Sequence, residues 1–162
     1  MKQALYAIAL LLAAGSASAQ PLQQGRPAPP AVVEQIKDAP ATRIGSQSVR
    51  ALPPPAVMAG KQANGAAPAQ EGRTLVVRDG DNLVGVSANE LVIISPALDA
   101  IAAKVASLHL PGAQIHIYPK LQLLVVKTAR FEQLEMIRGQ VASAFPEARF
   151  DLPVTYFPHK PR

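Results

Sequence analysis

The side chains that could do chemistry in this sequence are few and scattered. Asp79 and Asp81 flank Gly80. Two carboxylates at that spacing could act as general acid and base if a cleft held them. The same run, Asp79-Gly80-Asp81-Asn82, is first of all a turn signal. It also resembles the start of a calcium loop but is too short to complete one. His109, His116 and His159 lie too far apart in the chain to suggest a metal site, and there is no Cys. Disulfide scaffolds, thiolate zinc sites and Cys nucleophiles are therefore excluded. No Gly-x-Ser-x-Gly elbow and no glycine-rich phosphate loop occurs. The expectation is a protein that is not an enzyme, with no cofactor and no metal. What remains is the C-terminal run from Val154 to Arg162. Two aromatics, Tyr156 and Phe157, precede the basic, proline-containing tip His159-Lys160-Pro161-Arg162. Pro153, Pro158 and Pro161 hold such a tail extended. An extended tail can bind a partner by strand addition; alternatively it frays, its aromatics folded back on the domain.

The chain that must position these residues has 162 of them, with 16 basic and 11 acidic side chains and a net charge of +5. Residues 1–19 read as a cleaved signal peptide: Lys2 gives a positive start, Ala4 to Ala14 an apolar stretch, and Ala17-Ser18-Ala19 a small-x-small cleavage site. The apolar stretch is short against the ~20 residues of a membrane span. A periplasmic or secreted location follows, with no membrane attachment after cleavage. The remaining positive charge is small and dispersed, unlike a nucleic-acid stripe. Nine of the 16 prolines fall within residues 20–72. Apolar residues there come singly or in short pairs, too few to offset the entropy of ordering. The span reads as a disordered Pro/Ala/Gln-rich linker, with a weak helix signal from Ala31 to Asp38.

From Arg73 the pattern changes, and 73–162 reads as one folded domain. Residues 74–87 form a hairpin around the Asp-Gly-Asp-Asn turn. Leu91 to Ile94 is a short buried strand. Ser95-Pro96 resembles an N-cap followed by proline at the first helical position, and Leu98, Ile101, Val105 and Leu108 mark an amphipathic helix. Residues 114–118 alternate, with Ile115 and Ile117 on one face and Gln114, His116 and Tyr118 on the other. Pro119-Lys120 turns the chain into a return strand, 121–127. Thr128 caps a second helix whose buried stripe is Phe131, Leu134, Ile137 or Arg138, Val141 and Phe145. A last strand spans 148–152. Strand, helix, strand, strand, helix, strand is the order of an α+β, ferredoxin-like split βαβ sandwich: an antiparallel sheet, two helices on one face, and here an extra N-terminal hairpin. Its other face is free to meet a partner.

The residues from Leu110 through Ala129, with Phe131-Glu132-Gln133-Leu134-Glu135-Met136-Ile137-Arg138 and Ala148-Arg149-Phe150-Asp151-Leu152-Pro153, resemble the propeptide/inhibitor domain of subtilisin-like serine proteases. The likeness covers roughly 91–155. It implies a domain that lays its sheet on two helices of the enzyme, an acidic residue capping their N-termini, while the C-terminal extension runs through the substrate cleft. Asp151 is the best match for the acidic residue, with Glu147 competing. Tyr156, Phe157, His159, Lys160, Pro161 and Arg162 would form the partner-binding tail, its arginine end suited to a protease that cleaves after basic residues. With no protease domain following, the implied role is a chaperone or inhibitor acting in trans. A second expectation is a periplasmic envelope module. Sporulation-related repeat (SPOR) domains, which bind peptidoglycan, share the sheet plan and often follow Pro/Gln-rich spacers, although the paired aromatics and Gly-Pro-Phe features of that family are missing.

Overall fold

A computed structural model describes residues 22–53 and 72–157. The expected signal peptide, the part of the expected linker at 54–71 and the tail from Pro158 lie outside these residues. The described chain is a mixed α+β protein with two antiparallel sheets and three α-helices. In chain order the elements are α1 (Pro30–Ile36), β1 (Thr42–Ile44), β2 (Gln47–Ala51), β3 (Thr74–Arg78), β4 (Val84–Ser87), β5 (Glu90–Ile94), α2 (Leu98–Ala106), β6 (Gln114–Tyr118), β7 (Leu123–Lys127), α3 (Gln133–Ala144), β8 (Arg149–Asp151) and β9 (Val154–Thr155). A short 3₁₀ turn, Pro119–Leu121, joins β6 to β7. The first sheet has the order β1-β2-β3-β4-β9 and the second β6-β7-β5-β8.

The expected linker is corrected across 22–53, which forms α1, β1 and β2. These elements are held by partners remote in the chain. Pro30 starts α1 at its first position, where a missing N–H costs nothing. The Arg50 guanidinium from β2 donates to the carbonyls of Ile36 (3.2 Å), Lys37 and Ala39 (3.4 Å), taking the orphan acceptors at the end of α1. Between β1 and β2, Gly45 takes φ +59°, and a Cβ there would stand 2.6 Å from the Phe150 carbonyl. Glycine is needed at that turn because the turn presses against β8.

The expected 74–87 hairpin is the β3–β4 pair, in register Thr74↔Ser87 to Val77↔Val84. Both faces of this sheet are covered. On one face Leu75, Val77 and Val84 pack with Ala28, Val32, Val33 and Ile36 of the α1 segment. On the other, Ile44, Val49 and Val76 join the main core with Leu91, Ile93, Leu124, Val126 and the inward faces of α2 and α3. Helix α3 packs on β5 of one sheet and β1 of the other. Joining the sheets is Asn89, 2% exposed and at φ +56°. Its N–H donates to Ser87 Oγ (3.1 Å), and its carbonyl accepts the Thr128 N–H (2.9 Å). Asparagine tolerates that left-handed conformation better than most residues.

Both long helices begin later than their caps suggest. Helix α2 starts at Leu98, and Ser95 Oγ instead accepts the Ala97 N–H at 3.2 Å. Helix α3 starts at Gln133, because Thr128 is buried and its hydroxyl donates to the Arg130 carbonyl at 2.9 Å. Phe131 lies in the turn before the helix and is 2% exposed.

Candidate functional site

The carboxylates of the 79–82 turn are committed to the fold. Asp79 accepts from Ser48 Oγ (2.6 Å) and Arg50 Nε (3.0 Å), and the Ser48 hydroxyl and then Arg50 hold it below the ordinary carboxylate range. Asp81 takes two bonds from Arg78 (3.0 and 2.5 Å) and one from the Leu83 N–H (3.2 Å). The Arg78 bonds, more than the backbone one, hold it down to about 2. Both are ionised anchors at neutral pH, and neither is poised to carry a proton. His109, at φ +49° after α2, has Nδ1 2.7 Å from the Ser107 carbonyl. Among the described residues no group of three His, Cys, Asp or Glu could hold a metal ion, and no helix is long and apolar enough to cross a membrane. A cleft of about 470 Å³ between the start of α2 and the end of β6 is lined by Pro96, Leu98, Ile117 and Pro119, with Asp99 the one ionisable side chain of its lining.

The C-terminal candidates divide at Phe157. Residues 154–155 are β9, paired with Val86 and Ser87 of β4. Tyr156 continues along that strand and is half-buried. Its hydroxyl donates to Gln47 Oε1 at 2.9 Å, and the Arg78 guanidinium lies 4.5 Å from its ring centroid. Burial pushes its phenol pKa up. Gly85 makes room for this arrangement: a Cβ there would stand 2.5 Å from Val154 Cγ1 and 2.9 Å from the Tyr156 ring. The Thr155 carbonyl accepts from Gln24 Nε2 at 2.7 Å. Tyr156 is thus tied to its own sheet, whereas Phe157 is 68% exposed. His159, Lys160, Pro161 and Arg162 lie outside the described residues.

Asp151 lies elsewhere, on the free face of the second sheet. Helices α2 and α3 bury one face, where Leu91, Ile93, Leu124 and Val126 contact Leu98, Ile101, Leu134 and Ile137. The registers set the opposite face in rows across the strands. One row is His116, Val125, Val92, Asp151; the next is Tyr118, Leu123, Ile94, Arg149. A third, Gln114, Lys127, Glu90, carries an ion pair between Lys127 and Glu90 at 3.7 Å. Four aliphatic side chains therefore lie side by side at the middle of this face, with polar or charged groups at the edges. Ile94 is 42% and Tyr118 48% exposed, and Leu121 at the adjoining turn 68%. Among the described residues no helix contributes its apolar side chains here: α2 and α3 face the other side, and α1 serves the first sheet.

Val92, Ile94, Leu123 and Val125 were not legible as surface residues, since continuous apolar runs read as strands buried on both faces. The alternation in β6 was the available signal, because it assigns His116 and Tyr118 to the free face and register carries that assignment inward. No protein-family model, curated protein or solved structure matches the chain.

Proposed function

We propose that this protein is a secreted binding protein acting in trans as a folding chaperone, an inhibitor, or both, of a subtilisin-like serine protease. The observation that carries the reading is the free sheet face, with its aliphatic middle, its charged ends and, among the described residues, no helix over it. In this reading β5–α2–β6–β7–α3–β8 is a ferredoxin-like split βαβ unit, both helices on the far side. Two helices of the enzyme pack across Val92, Ile94, Leu123 and Val125. Asp151, exposed at the end of its row, meets their N-termini, where orphan N–H groups and the helix dipole favour a carboxylate.

Area decides what else is needed. Four strands at ~4.8 Å spacing by about five residues at ~3.3 Å span roughly 300 Å² in plan. Even doubled for side-chain relief, that falls short of the ~800 Å² per partner of a standard interface. The tail must supply the rest, and Phe157 with His159, Lys160, Pro161 and Arg162 is the part available. Tyr156 then anchors the root of the tail rather than contacting the enzyme.

The test is titration of the purified chain against subtilisin-like proteases of basic and of apolar specificity, reading initial rates and the yield of refolded protease. Inhibition or rescued refolding is expected, strongest for the enzyme that cleaves after basic residues. Ile94→Asp, or deletion of residues 158–162, should weaken binding about tenfold or more. The absence of both effects with every enzyme overturns the reading, and co-sedimentation with purified peptidoglycan sacculi would favour the envelope-module alternative.

A further inference from the structure

Among the described residues four strands border the two sheets, and three of them carry features that discourage further pairing. Strand β1 has three residues and includes Arg43. Strand β8 has three and includes Arg149 and Asp151. Strand β9 has two and follows Pro153. Shortness, charge and proline are the usual protections of a sheet edge. Strand β6 has none of them: five residues, Gln-Ile-His-Ile-Tyr, without charge, proline or glycine.

The phase of its hydrogen bonds follows from β7. Thr128 N–H bonds the Asn89 carbonyl, and Ser95 N–H bonds the Gln122 carbonyl. Residues 122, 124, 126 and 128 thus point their backbone groups at β5, because bonding alternates along an antiparallel pair. Residues 123, 125 and 127 then point theirs at β6, to their register partners Tyr118, His116 and Gln114. This leaves the N–H and C=O of Ile115 and Ile117 directed outward.

We propose that β6 is the pairing edge for a second copy of this chain, joined antiparallel about a two-fold axis through His116. In that register Ile115 of one copy stands opposite Ile117 of the other, so the outward groups exchange four N–H···O bonds. On the helix-covered face isoleucine meets isoleucine. On the free face Gln114 meets Tyr118, and His116 meets His116. No charge opposes a like charge, and apolar and polar side chains keep to separate faces. The strand is therefore complementary to itself, which favours a second copy over an unrelated peptide. The dimer would carry one continuous eight-stranded sheet, its two free faces side by side. This inference does not depend on the protease reading.

The test is the mass of the full chain, expressed with its own leader and purified, in sedimentation equilibrium over a concentration series. The mass should rise from one chain to two. Ile117→Pro removes an outward N–H and no bond to β7, so it should hold the protein at one chain with an unchanged far-ultraviolet spectrum. His116→Asp, at an exposed position, sets like charges opposite each other and should weaken association about tenfold or more. His116→Phe should strengthen it. A wild-type chain that stays monomeric throughout overturns the proposal, as does a dimer unaffected by both Ile117→Pro and His116→Asp.

Discussion

Leu75-Val76-Val77 in β3 and Leu91-Val92-Ile93-Ile94 in β5 read alike in the sequence, as short apolar runs with no alternation. The fold treats them differently. In β3 both sets of side chains are used: Val76 enters the main core, while Leu75 and Val77 meet α1. In β5 only Leu91 and Ile93 enter a core, while Val92 and Ile94 turn to the other side with Leu123 and Val125 of β7. A run covered on both sides is accounted for by stability. A run covered on one side leaves apolar surface that folding does not explain, and such surface marks an interaction site when it is contiguous.

The comparison can be broken most directly at adjacent residues of β5. Ile93→Ala, at a fully buried position, should cost about 2–5 kcal/mol in chemical denaturation. If it does not, the helix-covered face is not the core. Gly85→Ala forces a side chain into the space used by Val154 and Tyr156; it should cost about 1–3 kcal/mol and speed proteolysis of the C-terminal strand. Ile94→Asp, next along β5 but on the free face and beside Arg149 in the register, should change stability by less than about 1 kcal/mol while reducing partner binding. A large loss of stability there would mean that the face is covered.

The smallest effect concerns acid. Asp79 is held below its ordinary value of 3.8 by Ser48 and Arg50. A carboxyl depressed in the folded state adds stability that is whole above the unfolded value and is lost as pH falls through the folded one. Asp81, held at about 2 by Arg78 against 3.8, acts in the same direction. The stability difference between wild type and Asp79→Asn should therefore be greatest near neutral pH and shrink below pH 3.8, as thermal unfolding across that range would show.

The α+β class, the 74–87 hairpin and the strand–helix succession after it were legible because each element carries several apolar residues at its own period. The region 22–53 was not. Strand β1 places one side chain in the core, Ile44, and β2 likewise one, Val49. Their stability comes from Arg50 at the end of α1 and from Ser48 and Arg50 on Asp79, contacts between residues up to 31 positions apart that no local window can see. The two-residue turn at Gly45-Ser46 was the available hairpin signal. At the free face Asp151 was reached only through the family resemblance, and its aliphatic neighbours needed the register. Tyr156 was legible as an aromatic near an end, whereas its bond to Gln47 spans 109 positions.

The two termini of the described chain lie on one edge of β4. Gly25 and Arg26 bond Val84, while Val154 and Thr155 pair with Ser87 and Val86. Gln24 reaches Thr155 across 131 positions. The first sheet therefore closes only when segments from the two ends of the described chain meet, and the entropy of closing so long a loop must be met before those contacts reward it, which slows folding.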